Sequence, residues 1–180
     1  MIDFFKRPLA ITDIETTGLD SHLHEIIEIG LFVVDQNSYK IIDKLDIKVK
    51  PTHIKTAVKK ALEVNGYNEQ DWKKAWSLED AIAIYSEKTK DAIFVAQNAY
   101  SDWSFINEAF KKTQTEDLTD YHRIDLFNLG WSKKKKMPGI KSCSLSTMCK
   151  YFGIEPEPSP HRAMNGAKKN LEVLRKLQEL

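Results

Sequence analysis

Cysteine is scarce in this sequence, with two among 180 residues, Cys143 and Cys149. Thiols at that spacing match no common zinc pattern, and one pair is no disulfide framework for a chain of this length, so both read as reduced packing residues. Apolar runs long enough to cross a bilayer are also missing, which excludes a helical membrane protein. The first residues carry an acid, Asp3, and no long apolar stretch before a small-residue cleavage site. A secretory leader is therefore not expected, and a cytoplasmic location is. Net charge is nearly absent, with 27 Lys and Arg against 26 Asp and Glu. The molecule has no strong field to gather polyanions from a distance, so any nucleic-acid contact must be local, such as a grip on a few terminal phosphates. Repeats, low-complexity tracts and long Gly-, Ser- or Pro-rich linkers do not occur. With 42% hydrophobic and 29% charged residues, the chain reads as one globular domain spanning 1–180.

What is present is a mixed pattern of strand and helix periods. Leu9 to Ile14 and Ile26 to Val34 are β-branched apolar runs, while Leu45, Ile47 and Val49 alternate with Asp46, Lys48 and Lys50 as in a half-exposed strand. A helix is expected from about Lys55 to Val64, ended by Asn65-Gly66, and another after the capping pair Ser77 and Asp80. Ile93 to Ala96 reads as a short buried strand. Ser101 is expected to cap a helix bearing Phe105, Ile106, Ala109 and Phe110, while Ile124 to Leu129 is apolar but of undecided type. Leu145 to Tyr151 is expected to be helical, with Gly153 as its stop, and a last helix runs from His161 to about Leu180. The sum is an α/β domain led by an antiparallel meander.

The strongest chemical signal is Asp13-Ile14-Glu15-Thr16-Thr17-Gly18-Leu19. Strand alternation puts Asp13 and Glu15 on one face, roughly 6 to 7 Å apart, where two acids repel unless a proton or a hard cation neutralises them. Taken alone, the pair fits solvated acids at a strand end equally well. An aspartyl-nucleophile phosphatase is a further option, although such sites usually want a second Asp where Glu15 stands.

The rest of the chain breaks that tie. Asp13-Ile14-Glu15-Thr16-Thr17-Gly18, then Glu25-Ile26-Ile27-Glu28-Ile29-Gly30, Ala61 to Gly66, Gln97-Asn98-Ala99-Tyr100-Ser101-Asp102 and His161-Arg162-Ala163-Met164 occur in the order of the DEDDh 3′-5′ exonuclease family. The resemblance spans nearly the whole chain; that family includes the proofreading subunits of bacterial replicative polymerases. It implies a ribonuclease H-like exonuclease fold, a central mixed sheet flanked by helices. It also implies two-metal hydrolysis with Mg2+ or Mn2+ at the free 3′ end of a single strand, DNA favoured and RNA possible, with a polymerase or repair protein as a possible partner. By the same resemblance Asp13 would bridge both ions, Glu15 would hold the ion that binds the attacking water, Asp102 would serve the second ion, and His161 would be the general base. Thr16, Thr17 and Leu19 match positions that contact the terminal nucleotide, and Asn98 matches a substrate-side or loop-fixing amide.

Three departures from the family pattern stand out. Gln97 replaces a frequent His and Ser101 replaces an aromatic residue before the Asp. More seriously, the family's Asp five residues after the His is here Gly166. Glycine offers no ligand and is unfavourable within a helix by roughly 0.5 to 1 kcal/mol relative to Ala, and the sequence offers no stability reason for it. Weakened metal binding is the first expectation, with neutral amides at Asn165 and Asn170 as the nearby substitutes. The alternative is a catalytically silent relative that binds nucleic-acid ends or a partner protein. Lys133-Lys134-Lys135-Lys136 reads equally as a phosphate-tracking loop or a solvated surface loop.

Overall fold

Strand alternation sorts the central strand's side chains between two helical layers, and that sorting positions everything else. The computed structural model describes residues 3–180; the expected domain limits also include Met1 and Ile2, which lie outside the described residues. Five strands form one sheet in the order β3-β2-β1-β4-β5, with β1 Leu9–Thr16, β2 Ile26–Val34, β3 Ile41–Lys48, β4 Ile93–Ala96 and β5 Arg123–Asp125. The first three strands are the antiparallel meander read from the sequence, and β4 and β5 add in parallel beside β1. Both faces are covered by helices. Every residue of β2 is buried, which is why it is a continuous apolar run rather than an alternating one.

Among the described residues there are six α-helices: α1 Lys59–Asn65, α2 Leu78–Lys88, α3 Ala99–Thr113, α4 Leu126–Ser132, α5 Leu145–Phe152 and α6 Ala163–Gln178. On one face, Ala10 and Phe94 join a core with Ile82 and Tyr85 of α2 and Phe105, Ile106 and Phe110 of α3. On the other, Leu9, Ile11, Phe32 and Val34 pack with Ala167, Leu171 and Leu174 of α6 and Leu126 of α4. Among the described residues no helix is long and apolar enough to cross a membrane.

Several element limits differ from expectation for identifiable reasons. The stretch from Lys55 opens as a 3₁₀ turn, Ile54–Thr56, and α1 begins only at Lys59; Gly66 ends it at φ +65° as expected. Ser77 caps α2 through the Asp80 amide at 3.0 Å, also as expected. Ser101 does not cap α3. The helix starts at Ala99, whose amide donates to Asp125 across the sheet end at 2.8 Å, a long-range cap invisible to local pattern. The undecided stretch after Ile124 divides at Asp125, which ends β5 and caps α4 through the Asn128 amide. The last helix starts at Ala163, leaving His161 in the loop before it. Within the lysine run, Lys133 donates to the Leu177 carbonyl at 2.6 Å and Lys136 to that of Leu180, so two of the four bind the C-terminal end of α6.

Gly30 sets how closely α6 approaches the sheet. A Cβ there would lie 2.2 to 2.4 Å from the Ala163 carbonyl and the Met164 nitrogen, backbone atoms that no rotamer change can move. Gly30→Ala is therefore expected to destabilise the protein by about 1–3 kcal/mol through forced separation of α6 from β2, read as a lower urea midpoint at unchanged slope. An unchanged midpoint would mean that this contact is not tight in solution.

Candidate active site

On β1 the residues facing α6 are Leu9, Ile11, Asp13 and Glu15, and the register pairs them with Val34, Phe32, Gly30 and Glu28 of β2. The first half of this stripe is apolar core; the second half is acid. The two carboxylates thus emerge where the sheet leaves its hydrophobic cover and meets the first turn of α6. Asp102 arrives from α3 on the other layer, and its Oδ1 accepts the Ile14 amide at 3.3 Å. His161 arrives from the loop before α6, its amide donating to the Val64 carbonyl at the end of α1 at 3.0 Å.

Glu28 and Arg162 hold that loop against the sheet. The buried Glu28 carboxylate pairs with the Arg162 guanidinium and accepts the Ala163 amide at 3.3 Å, so it binds the first residues of α6. Arg162 also lies over the Trp72 ring, 5.0 Å from its centroid. Neither interaction is expected from the sequence, where Glu28 enters only as part of the family-like segment Glu25 to Gly30 and without a partner.

Electrostatics in the site are unfavourable to charge. Burial first, then the charges of Asp102, Glu15, Glu157 and Glu28, hold the Asp13 carboxyl well above the usual carboxylate range. Glu15 is pushed to about 8, chiefly by burial and then by Glu157 and Glu28, with Arg162 opposing. Asp102 is raised to about 7 by burial, against hydrogen bonds from its own amide and that of Ile14. Such a constellation needs protons or cations to neutralise it.

Among the described residues, one set of His, Cys, Asp or Glu side chains brings ligand atoms within 4.8 Å of one another: Glu15, Glu157 and His161. Carboxylate oxygen and imidazole nitrogen suit a divalent cation such as Mn2+, and the acids Asp13 and Asp102 border them electrostatically without joining that set. The residues present therefore fit the metal ions the resemblance implies. Glu157 carries no family motif; its only sequence signal is its position four residues before His161 in a proline-punctuated stretch.

Gly166 has a steric reason. A Cβ at that position would lie 2.2 Å from Asp13 Oδ2 and 2.5 Å from its Cγ, so the Asp13 carboxylate occupies the space a side chain would need. Asn170 is fully buried; its amide nitrogen donates to the Thr12 carbonyl at 3.1 Å, tying α6 to β1, while its Oδ1 accepts no hydrogen bond among the described residues. Around the rim, Leu19 is 94% exposed. Thr17 is buried, its hydroxyl accepting the Glu25 amide and its own amide donating to the Glu25 carbonyl, both at 2.9 Å. Thr16 donates its hydroxyl to Gly18 at 2.7 Å. Asn98 adopts a left-handed conformation at φ +51°, with an exposed side chain that caps nothing. Gln97 donates to the Cys143 carbonyl at 3.0 Å. A cleft of about 430 Å³ behind Leu23, lined by His24, Phe105 and Glu108 among others, contains none of the site's acids.

Two outcomes follow for the metal-free protein. Because Glu15 ionises at about 8 when folded but near 4.5 when unfolded, its contribution to stability is complete below pH 4.5 and is lost as pH rises through about 8. The melting temperature in chelator should fall across that window, and Mn2+ at the alkaline end should restore it; a flat profile would contradict the acid cluster. Gly166→Ala, which in an ordinary helix interior gains about 1 kcal/mol, should show no gain because the methyl must displace the Asp13 carboxylate. A full gain in thermal melts would mean that Asp13 turns aside freely.

Comparison with known proteins bears on the family and the fold. The RNase_T family model, described as an exonuclease, matches residues 10–174. The PolC-type DNA polymerase III of Bacillus subtilis is 31% identical over 172 residues, covering 96% of this chain but 11% of the polymerase. That of Thermotoga maritima is 29% identical over 177 residues, covering 98% of this chain and 12% of the polymerase. The chain thus spans about a tenth of these relatives' length. E. coli Exonuclease I, solved in complex with a 5cy-dT13 oligonucleotide, superposes with a TM-score of 0.82 at 16% identity, over 97% of this chain and 41% of that one, a likeness of fold. With the family match covering nearly its whole length, this chain belongs to the RNase_T exonuclease family and has a ribonuclease H-like exonuclease fold.

Proposed function

We propose that residues 1–180 form one exonuclease domain that hydrolyses the last phosphodiester bond at the 3′ end of single-stranded nucleic acid, DNA in preference to RNA, with Mg2+ or Mn2+. The observation that carries this reading is the convergence of Asp13, Glu15 and Asp102, all held above the usual carboxylate range, beside an exposed histidine. A catalytically silent domain is the less favoured reading, because a domain that performs no chemistry has no use for buried acids whose mutual repulsion destabilises it.

Divalent ions would supply Lewis acidity here, lowering the pKa of water and offsetting charge on the departing oxygen. Asp13 and Glu15 would hold them from β1 and Asp102 from α3. His161 is suited to take the proton from the attacking water, because a neutral imidazole nitrogen can accept one and its side chain is 49% exposed. Leu19, fully accessible on the β1–β2 loop, would wedge against the terminal base, and Thr16 and Thr17 would fix the loop that carries it. Asn98 would offer its free amide to the strand. Contacts of this kind grip an end and carry little base information, consistent with sequence-independent trimming. The oligonucleotide bound by Exonuclease I supports a single-stranded substrate, and the polymerase relatives support a cytoplasmic replication or repair context with a polymerase as partner.

A 5′-labelled single strand incubated with Mg2+ or Mn2+ should yield a ladder shortening from the 3′ end. Asp13→Asn should slow it by at least about a hundredfold, since ion-mediated charge stabilisation contributes several kcal/mol. Release of the label as a mononucleotide, or the same rate in chelator, would defeat the proposal.

A further inference from the structure

We propose that Glu157 is a ligand of the metal site, delivering from the loop before α6 the carboxylate that Gly166 cannot; this rests on the metal-dependent reading above. Gly166 supplies no ligand, and a side chain there would have to displace the Asp13 carboxylate, whose Oδ2 lies 2.2 Å from where its Cβ would stand, so a fourth carboxylate has to come from elsewhere. Glu157 is the acid that meets the site. Its carboxylate, that of Glu15 and the His161 imidazole bring one ligand atom each within 4.8 Å of one another, a mixed oxygen and nitrogen set whose two acids both act on the Asp13 carboxyl.

The two Glu157 oxygens have different roles. Oε1 accepts the Arg162 amide at 3.1 Å, which anchors the side chain at the start of α6. Oε2 lies 3.8 Å from His161 Nδ1, beyond hydrogen-bond distance, and accepts no hydrogen bond among the described residues. One oxygen is fixed by backbone, and the other accepts nothing from the protein and stands 3.8 Å from the imidazole. The Glu157 side chain is 16% exposed, so it lies in the site rather than waving in solvent. Prolines 156, 158 and 160 restrict the loop, and the His161 amide ties it to the Val64 carbonyl, so little conformational freedom remains to be lost when Glu157 binds an ion.

Glu157→Gln separates ligation from loop anchoring, because the amide oxygen can still accept the Arg162 N–H while the negative charge is gone. Mn2+ binding to the whole chain, measured by titration calorimetry and by electron paramagnetic resonance of free Mn2+, should weaken by at least the roughly 10–100-fold that loss of even an outer-sphere partner produces. Metal-free melting should be unchanged or raised, since a like charge has been removed. Glu172→Gln, an acid paired with Lys169 on α6, should bind as the parent does. Should Glu157→Gln fail to fold, Glu157→Asp, which keeps the charge but shortens its reach, must show the weakened binding. If Glu157→Gln binds Mn2+ as tightly as the parent while Asp13→Asn loses it, the proposal is overturned and the metal-dependent reading stands. If the parent itself binds no Mn2+, both fall.

Discussion

Repulsion among buried carboxylates is the constraint on which the rest of this molecule turns. Asp13 and Glu15 continue the face of β1 that Leu9 and Ile11 begin, so the strand carries its acids directly out of the hydrophobic core. Two short contacts hold α6 across them. At Gly30 the helix backbone meets the sheet, and at Gly166 it meets the Asp13 carboxylate itself. Glu28 fixes the helix start through Arg162 and the Ala163 amide, so even the support of the site is an ion pair in a half-buried setting. The fold spends hydrophobic burial elsewhere in the sheet to keep these groups close.

That closeness gives Gly166 its meaning. An aspartate at that position would meet a carboxylate already lying where its Cβ must go. The glycine and the Asp13 rotamer are therefore one arrangement, and the acid count of the site is completed from the His161 loop rather than from the helix. Loop and helix are joined at Arg162, whose amide binds Glu157 and whose side chain binds Glu28, so a carboxylate on the loop is positioned by the same residue that docks the helix.

The helical layers divide the labour. The α6 side supplies the glycine contact and the histidine loop, and the α3 side supplies Asp102, which crosses to the sheet through the Ile14 amide. The rim is built from the β1–β2 loop, where Thr16 and Thr17 spend their hydroxyls internally and leave Leu19 outward. The end-gripping role proposed for this rim would need no net positive charge, in keeping with a chain that has almost none.

Local pattern alone determined the strands β1, β2 and β4, the α2 cap at Ser77 and the Gly66 and Gly153 stops, because each depends on side-chain period or on backbone chemistry within a few residues. It also determined the pairing of Asp13 with Glu15 on one face. The start of α3 escaped it, since Asp125, not Ser101, caps that helix from across the sheet. Glu157 escaped it too, because nothing in its neighbours marks an acid that meets Glu15 only after β1, α1 and α6 have assembled. The reason for Gly166 lay wholly in tertiary structure: a missing side chain is explained only by what fills its space, and that atom belongs to a residue more than 150 positions away along the chain.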